Sequence, residues 1–202
     1  MPSLPDVTIT TERLTLRMAG AGDVPAILRY FRENRAFLEP WEPRKSEKFH
    51  TDEFWVGQVR RNRDQAEAGT SLRLFIFPND APGEVIGTVN FTEIVRLAFQ
   101  ACFLGYSLSA AREGHGYMRE ALGGGIAHVF GTLRLHRIMA NYMPHNRRSG
   151  NVLKALGFTV EGFARDYLRI NGRWEDHVLT SLTNPEWTED EVRRCGGAGV
   201  RG

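Results

Sequence analysis

The loop Glu113-Gly114-His115-Gly116-Tyr117-Met118 lies between a β-rich run, residues 101–109 (ACFLGYSLS), and an amphipathic run that begins at Tyr117. Two glycines at such a junction let the chain turn sharply. They also leave backbone N–H groups exposed at the positive end of a helix dipole, where phosphates bind well. By itself a Gly-x-Gly pair is more often an ordinary turn, and the two common nucleotide patterns are excluded. A nucleoside-triphosphate loop requires Lys-Ser or Lys-Thr after its last glycine, and none follows here. A dinucleotide fingerprint requires a third glycine, and that position is Arg119.

A second signal follows about thirty residues on. Residues 136–143 read as a strand and lead into Pro144-His145-Asn146-Arg147-Arg148-Ser149. A helical stretch through Val152, Leu153 and Leu156 comes next, closed by Gly157-Phe158. The order strand, glycine loop, helix, strand, Asn-x-x-Ser helix, Gly-Phe resembles the GNAT superfamily of N-acetyltransferases. In that superfamily the loop reads Gln/Arg-x-x-Gly-x-Gly/Ala and binds the pyrophosphate of acetyl-coenzyme A. Here Glu113 stands at the Gln/Arg position and Met118 at the last small-residue position, both departures. Phe37-Leu38-Glu39-Pro40-Trp41-Glu42-Pro43, residues 101–107, residues 136–146 and Trp174-Glu175-Asp176-His177 are similar to one branch. That branch is the ribosomal-protein-alanine N-acetyltransferases (the RimJ type), and the similarity extends over residues 8–187.

The chain is 202 residues long and 42% hydrophobic, enough for a single domain with a sizeable core. A net charge of +2 with no Lys/Arg block gives no reason to expect direct DNA binding. The two cysteines, Cys102 and Cys195, lie far apart and suit a reducing compartment rather than a disulfide framework. The six histidines lack ligand spacing, so no metal is expected. With no leader before Thr8 and no membrane-length apolar run, a cytoplasmic protein without membrane association is expected, monomeric or homodimeric.

Alternation over residues 13–18 predicts a first strand, and Val24, Ile27, Leu28 and Phe31 form a helical stripe capped by Asp23. Residues 33–50 read as an ordered loop or short helix and residues 52–68 as a second helix. Residues 72–77, 84–95 and 101–109 read as an antiparallel meander. The helix after the glycine loop presents Met118, Leu122, Ile126 and Val129 at helical spacing. It also contains Gly123-Gly124-Gly125, each costing about 1 kcal/mol against alanine, which points to close packing on the sheet. Asn171-Gly172 marks a hairpin. The fold expected is α/β: a mixed, mostly antiparallel sheet of GNAT type, with helices on both faces, over residues 8–187. Residues 188–202 are expected to form a disordered tail.

The resemblance implies the site. Gly114, His115, Gly116, Tyr117 and Met118, with Glu113, form the pyrophosphate loop. The backbone of Tyr106, Ser107 and Leu108 meets the pantetheine, and an N–H near Leu108 faces the thioester oxygen. Asn141 and Asn146 contact the cofactor, with Asn146 also capping its helix. Relatives place a proton-donating tyrosine late in that helix, where this chain has Leu153. Ser149, one turn earlier, becomes the nearest hydroxyl and the candidate proton donor to the thiolate. Glu93 is the first candidate base, ahead of Asp166 and Glu120. Trp41, Tyr106 and Tyr167 are candidates for the channel that receives the acceptor. The activity implied is acetyl transfer to a protein α-amine, with a ribosomal protein beginning with alanine as acceptor. A small-amine transferase and a non-catalytic ribosome-assembly or regulatory factor are the alternatives.

Overall fold

Strand β3 (Leu72–Pro78) is buried on both faces and shows how the layers are built. Leu72, Leu74 and Ile76 point into one core, while Phe75 and Phe77 point into another. The first core packs helices α4 (Tyr117–Gly131) and α5 (Arg147–Ala155) on the sheet through Met118, Leu122, Val129 and Leu153. The second packs α1 (Val24–Glu33) and α3 (Asp52–Glu67) on the opposite face through Ile27, Leu28, Phe31 and Trp55. A strand running through two cores reads as an almost continuous apolar run, as this one does. The structure is a computed structural model that describes residues 7–188. The expected tail, apart from Thr188, and Cys195 lie outside the described residues.

Eight strands form one sheet. Besides β3 they are β1 (Thr8–Thr10), β2 (Leu14–Arg17), β4 (Gly87–Val95), β5 (Ala101–Leu108), β6 (Arg137–Tyr142), β7 (Thr159–Ile170) and β8 (Arg173–Thr183). Their order is β1-β2-β3-β4-β5-β6-β8-β7. Every neighbouring pair is antiparallel except β5–β6. The parallel register runs only from Ala101↔Arg137 to Phe103↔Met139, whereas β4 stays paired with β5 out to Gly87↔Leu108. Residues 104–108 of β5 therefore diverge from β6 and open a wedge. Helix α5 covers it closely, since a Cβ on Gly150 would come within 2.8 Å of the Tyr142 ring.

The expected meander and both helix faces are present. Asp23 does not cap α1 with its side chain. Its carboxylate instead accepts from the Gly20 N–H at 2.8 Å and from both Arg17 terminal nitrogens at 2.7 Å. Residues 33–50 fold into helix α2 (Arg35–Leu38) and two 3-10 turns, Glu39–Trp41 and Glu47–His50. Asn171 and Gly172 have φ of +43° and +86°, the pair of left-handed residues that a two-residue hairpin requires. The Asn171 N–H donates to the Glu42 carbonyl at 2.9 Å, tying the hairpin tip to the loop after α2.

Candidate active site

Gly114 and Gly116 adopt φ of +78° and +79°, and Gly116 is the N-cap of α4. No atom lies within 4 Å of a Cβ built on Gly114. The loop is thus an open cradle of backbone N–H groups at a fifteen-residue helix's positive end. Arg13 braces it. Its guanidinium donates to the His115 carbonyl at 3.0 Å, grips Glu120 at 2.7 and 2.6 Å, and covers the Tyr117 ring at 4.5 Å. Glu120 also accepts from Thr11 Oγ1 and the Arg13 N–H, each at 2.7 Å. Partial burial pushes its carboxyl up, but these donors outweigh that and hold it below the ordinary carboxylate range. Glu120 is therefore a strut for the loop and has no free oxygen for base work. Glu113 pairs with Arg148, joining the loop to α5.

From this cradle a cavity of about 440 Å³ runs along the wedge to the loop after α2. Tyr106, Ser107 and Leu108 of β5 form one side, and Asn146, Ser149 and Val152 of α5 form the other. Phe37, Leu38, Trp41 and Glu42 complete the lining, and the Arg148 guanidinium lies 5.3 Å from the Phe37 ring centre. Asn146 caps α5 by accepting from the Ser149 N–H at 3.1 Å, which fixes that turn. The Tyr106 phenol lies 2.7 Å from Ser149 Oγ, and burial pushes its pKa up to about 12. Tyr30, wholly buried, donates to Ser107 Oγ at 2.9 Å, and Ser107 Oγ lies 2.9 Å from Thr88 Oγ1. The strand segment facing the wedge is thereby held by side-chain hydroxyls on its other flank.

The cavity gathers Trp41, Tyr106, Ser107, Leu108, Glu113, Gly114, Gly116, Tyr117, Met118, Asn146 and Ser149, all singled out in the sequence. His115 is exposed and stacks on Tyr117 at 6.2 Å, outside the lining. Asn141 and Tyr167 face each other at 3.3 Å across β6 and β7, also outside it. Glu93 is corrected by the fold. It occupies an exposed left-handed position (φ +51°) in the β4 bulge, at the opposite end of the strand from the Gly87↔Leu108 pair that borders the cavity. Asp166 is likewise exposed in a bulge of the β7–β8 hairpin, its N–H bonded to Asp176. Leu153 is 1% exposed and belongs to the core, so the cavity-facing position one turn after Ser149 is Val152. Sequence reasoning missed Glu42, Tyr30 and Arg13. The Trp41-Glu42-Pro43 motif was visible, but nothing local marks its carboxylate as cavity-facing.

An N–H cradle for a pyrophosphate, a strand peeled open beside it and a hydroxyl pair at the middle of the groove define an acetyl-coenzyme A-dependent N-acetyltransferase. The residues present fit that co-substrate: the cradle is open where its phosphates would lie, and residues 104–108 have left the β6 ladder. The chain belongs to the GNAT acetyltransferase family, whose domain matches residues 13–159. It is 44% identical over 186 residues to the [ribosomal protein uS5]-alanine N-acetyltransferase of Escherichia coli (strain K12), covering 92% of this chain and 95% of that one. The solved ribosomal-protein-S5-alanine acetyltransferase of Vibrio fischeri superposes with a TM-score of 0.86 at 39% identity, over 91% of this chain and 100% of that one. Mycobacterium smegmatis RimJ in complex with CoA-disulfide superposes with a TM-score of 0.83 at 28% identity, over 95% of each chain. Among the described residues no helix is long and apolar enough to cross a membrane, and no group of three or more His, Cys, Asp or Glu side chains is placed to hold a metal.

Proposed function

We propose that this protein acetylates the N-terminal α-amine of a ribosomal protein beginning with alanine, in the cytoplasm, by direct attack of the amine on the thioester. Acetyl-coenzyme A supplies the activated acetyl group. The N–H groups of residues 114–117 hold its pyrophosphate, and the Leu108 N–H receives the charge that develops on the thioester oxygen. Ser149, backed by Tyr106, gives a proton to the departing sulfur. The observation that carries this reading is the 2.7 Å Tyr106–Ser149 hydroxyl pair set in the wedge between phosphate cradle and Trp41.

The acceptor reading draws on the relatives from Escherichia coli and Vibrio fischeri, whose names specify the alanine of a ribosomal protein. The cavity supports it in one respect. Its only carboxylates among the described residues are Glu113, paired with Arg148, and Glu42. A small polyamine would call for an acidic cluster, whereas one α-ammonium calls for a single group. An α-amine, with a pKa of about 7.7–8.0 against about 10.4 for lysine, also costs roughly 3–4 kcal/mol less to deprotonate.

Mass spectrometry of a peptide panel with protein and acetyl-coenzyme A tests the assignment. An alanine-first peptide is expected to gain one acetyl on its α-amine, a serine-first peptide to come second and a phenylalanine-first peptide last. An N-blocked peptide carrying lysine is expected to react poorly. Preference for aminoglycosides, polyamines or internal lysines would establish the small-amine alternative instead, and no turnover of any amine would favour a binding factor.

A further inference from the structure

Glu42 lines the cavity beside Trp41, together with the β5 segment that carries Tyr106, Ser107 and Leu108. Two prolines and a backbone bond hold it there. Pro40 lies inside the 3-10 turn Glu39–Trp41, and Pro43 confines Glu42 to extended backbone, observed at φ −124° and ψ 156°. The Glu42 carbonyl accepts from the Asn171 N–H at the hairpin tip, so the residue is tied to two separate parts of the fold. Of the two carboxylates lining the cavity, Glu113 is committed to Arg148 at the phosphate end. Glu42 has the Lys45 ammonium, at 3.5 Å, as its ionic partner among the described residues.

We propose that Glu42 receives the ammonium of the incoming chain and takes its first proton. This rests on the α-amine reading above. The ammonium enters with three protons and no lone pair. Transfer of one N–H proton to the Glu42 carboxylate frees the lone pair, which forms the N–C bond to the thioester carbon. As the C–S bond breaks, its electron pair leaves on sulfur. The sulfur takes the Ser149 hydroxyl proton, and the second proton shed by nitrogen restores that hydroxyl. The proton on Glu42 passes to solvent, so each turnover yields amide, thiol and one released proton.

The surroundings of Glu42 suit this cycle. Its burial disfavours the anion and lifts the carboxyl above the ordinary carboxylate range, while Lys45 pulls the other way. The buried phenol of Tyr30 approaches from α1. Arg35, Glu39 and His50 face it across a neighbouring void of about 30 Å³, and Tyr106 and Arg112 share the main cavity with it. A carboxyl shifted toward neutrality is a stronger base than an ordinary surface carboxylate.

The test is a pH-rate series on wild type, Glu42→Gln and Glu42→Asp with an alanine-first peptide, alongside acetyl-coenzyme A affinity and melting temperature for each. Glu42→Gln is expected to lose about 10²–10³-fold in kcat/KM near neutral pH. Its acetyl-coenzyme A affinity is expected to stay within about twofold, since the phosphate cradle is built from residues 114–117 and not from Glu42. The deficit should shrink as pH rises through the amine's own ionisation at about 7.7–8.0, where free amine needs no base. Glu42→Asp, with its carboxylate withdrawn by one methylene, should keep the low-pH limb of the profile at reduced kcat. A loss by a constant factor at every pH, no loss in Glu42→Gln, or wild-type kcat in Glu42→Asp would each overturn the assignment. If wild type acetylates a small amine rather than any N-terminus, the α-amine reading fails separately, and the same series on that amine still decides Glu42.

Discussion

The Tyr106 phenol of β5 and the Ser149 hydroxyl of α5 meet at 2.7 Å across the wedge where β5 leaves β6. The same phenol also donates to the Ser149 carbonyl at 3.3 Å. Strand and helix are thus joined at the point where the leaving sulfur is expected. With its pKa pushed up to about 12 by burial, Tyr106 stays protonated throughout the working range and can orient the serine rather than compete with it.

Ser149→Ala is expected to lower single-turnover acetyl transfer by about 10²-fold, with little change in acetyl-coenzyme A affinity, because the hydroxyl matters most once charge develops on sulfur. Tyr106→Phe should cost less. The double variant should be little worse than Ser149→Ala alone, since residues that act as a unit are not additive. Rates for the four proteins check this, and fully additive losses would show that the two hydroxyls act separately.

Gly116→Val places a branched side chain at φ +79° in the phosphate cradle. Calorimetry is expected to show acetyl-coenzyme A affinity reduced at least about tenfold, and the thermal stabilisation that the ligand confers should fall accordingly. The left-handed backbone itself costs a non-glycine residue about 1–2 kcal/mol, so the ligand-free protein should melt earlier as well. Retained affinity in a folded variant would remove the loop from the phosphate site.

The three consecutive glycines of α4 are not equivalent. An added Cβ meets nothing at Gly123, but at Gly125 it comes within 3.1 Å of the Phe91 ring, and at Gly124 within 2.9 Å of Thr11 Cγ2. Gly123→Ala should stabilise the protein by about 0.5–1 kcal/mol through helix propensity. Gly125→Ala, against a wholly buried ring, should destabilise it by about 1–3 kcal/mol. Urea unfolding of the two variants should give opposite signs, and equal midpoints would refute the packing account.

Glu120 supplies a pH test of the strut beneath the loop. Its folded pKa lies below the ordinary value of 4.5, so its contribution to stability is present above that value and is lost as pH falls through the folded pKa. Glu120→Gln should therefore melt below wild type at pH 7, and the two curves should converge as pH drops well under about 4. Melting temperatures across that range measure it, and a gap that stays constant with pH would assign the loss to shape rather than charge.

Features set by a few consecutive residues were legible in the chain. The left-handed glycines at 114 and 116, the Asn146 cap and the Asn171-Gly172 turn each follow from local backbone geometry and a single short-range hydrogen bond. The apolar spacing of α1 and α4 likewise announced which faces would be buried. What local pattern could not supply was which carboxylate meets the cavity. Glu93 sits on a strand bordering the site yet is turned away at a bulge. Glu120 lies one turn into the right helix yet is consumed by Arg13, 107 residues earlier in the chain. Leu153 shares the α5 helix with Ser149 but faces the core, and Val152 lines the cavity instead. The residues therefore determined the elements and the phosphate loop. The packing of distant segments, which sets burial, pairing and exposure of charge, placed Glu42 in the cavity and left Glu93 outside.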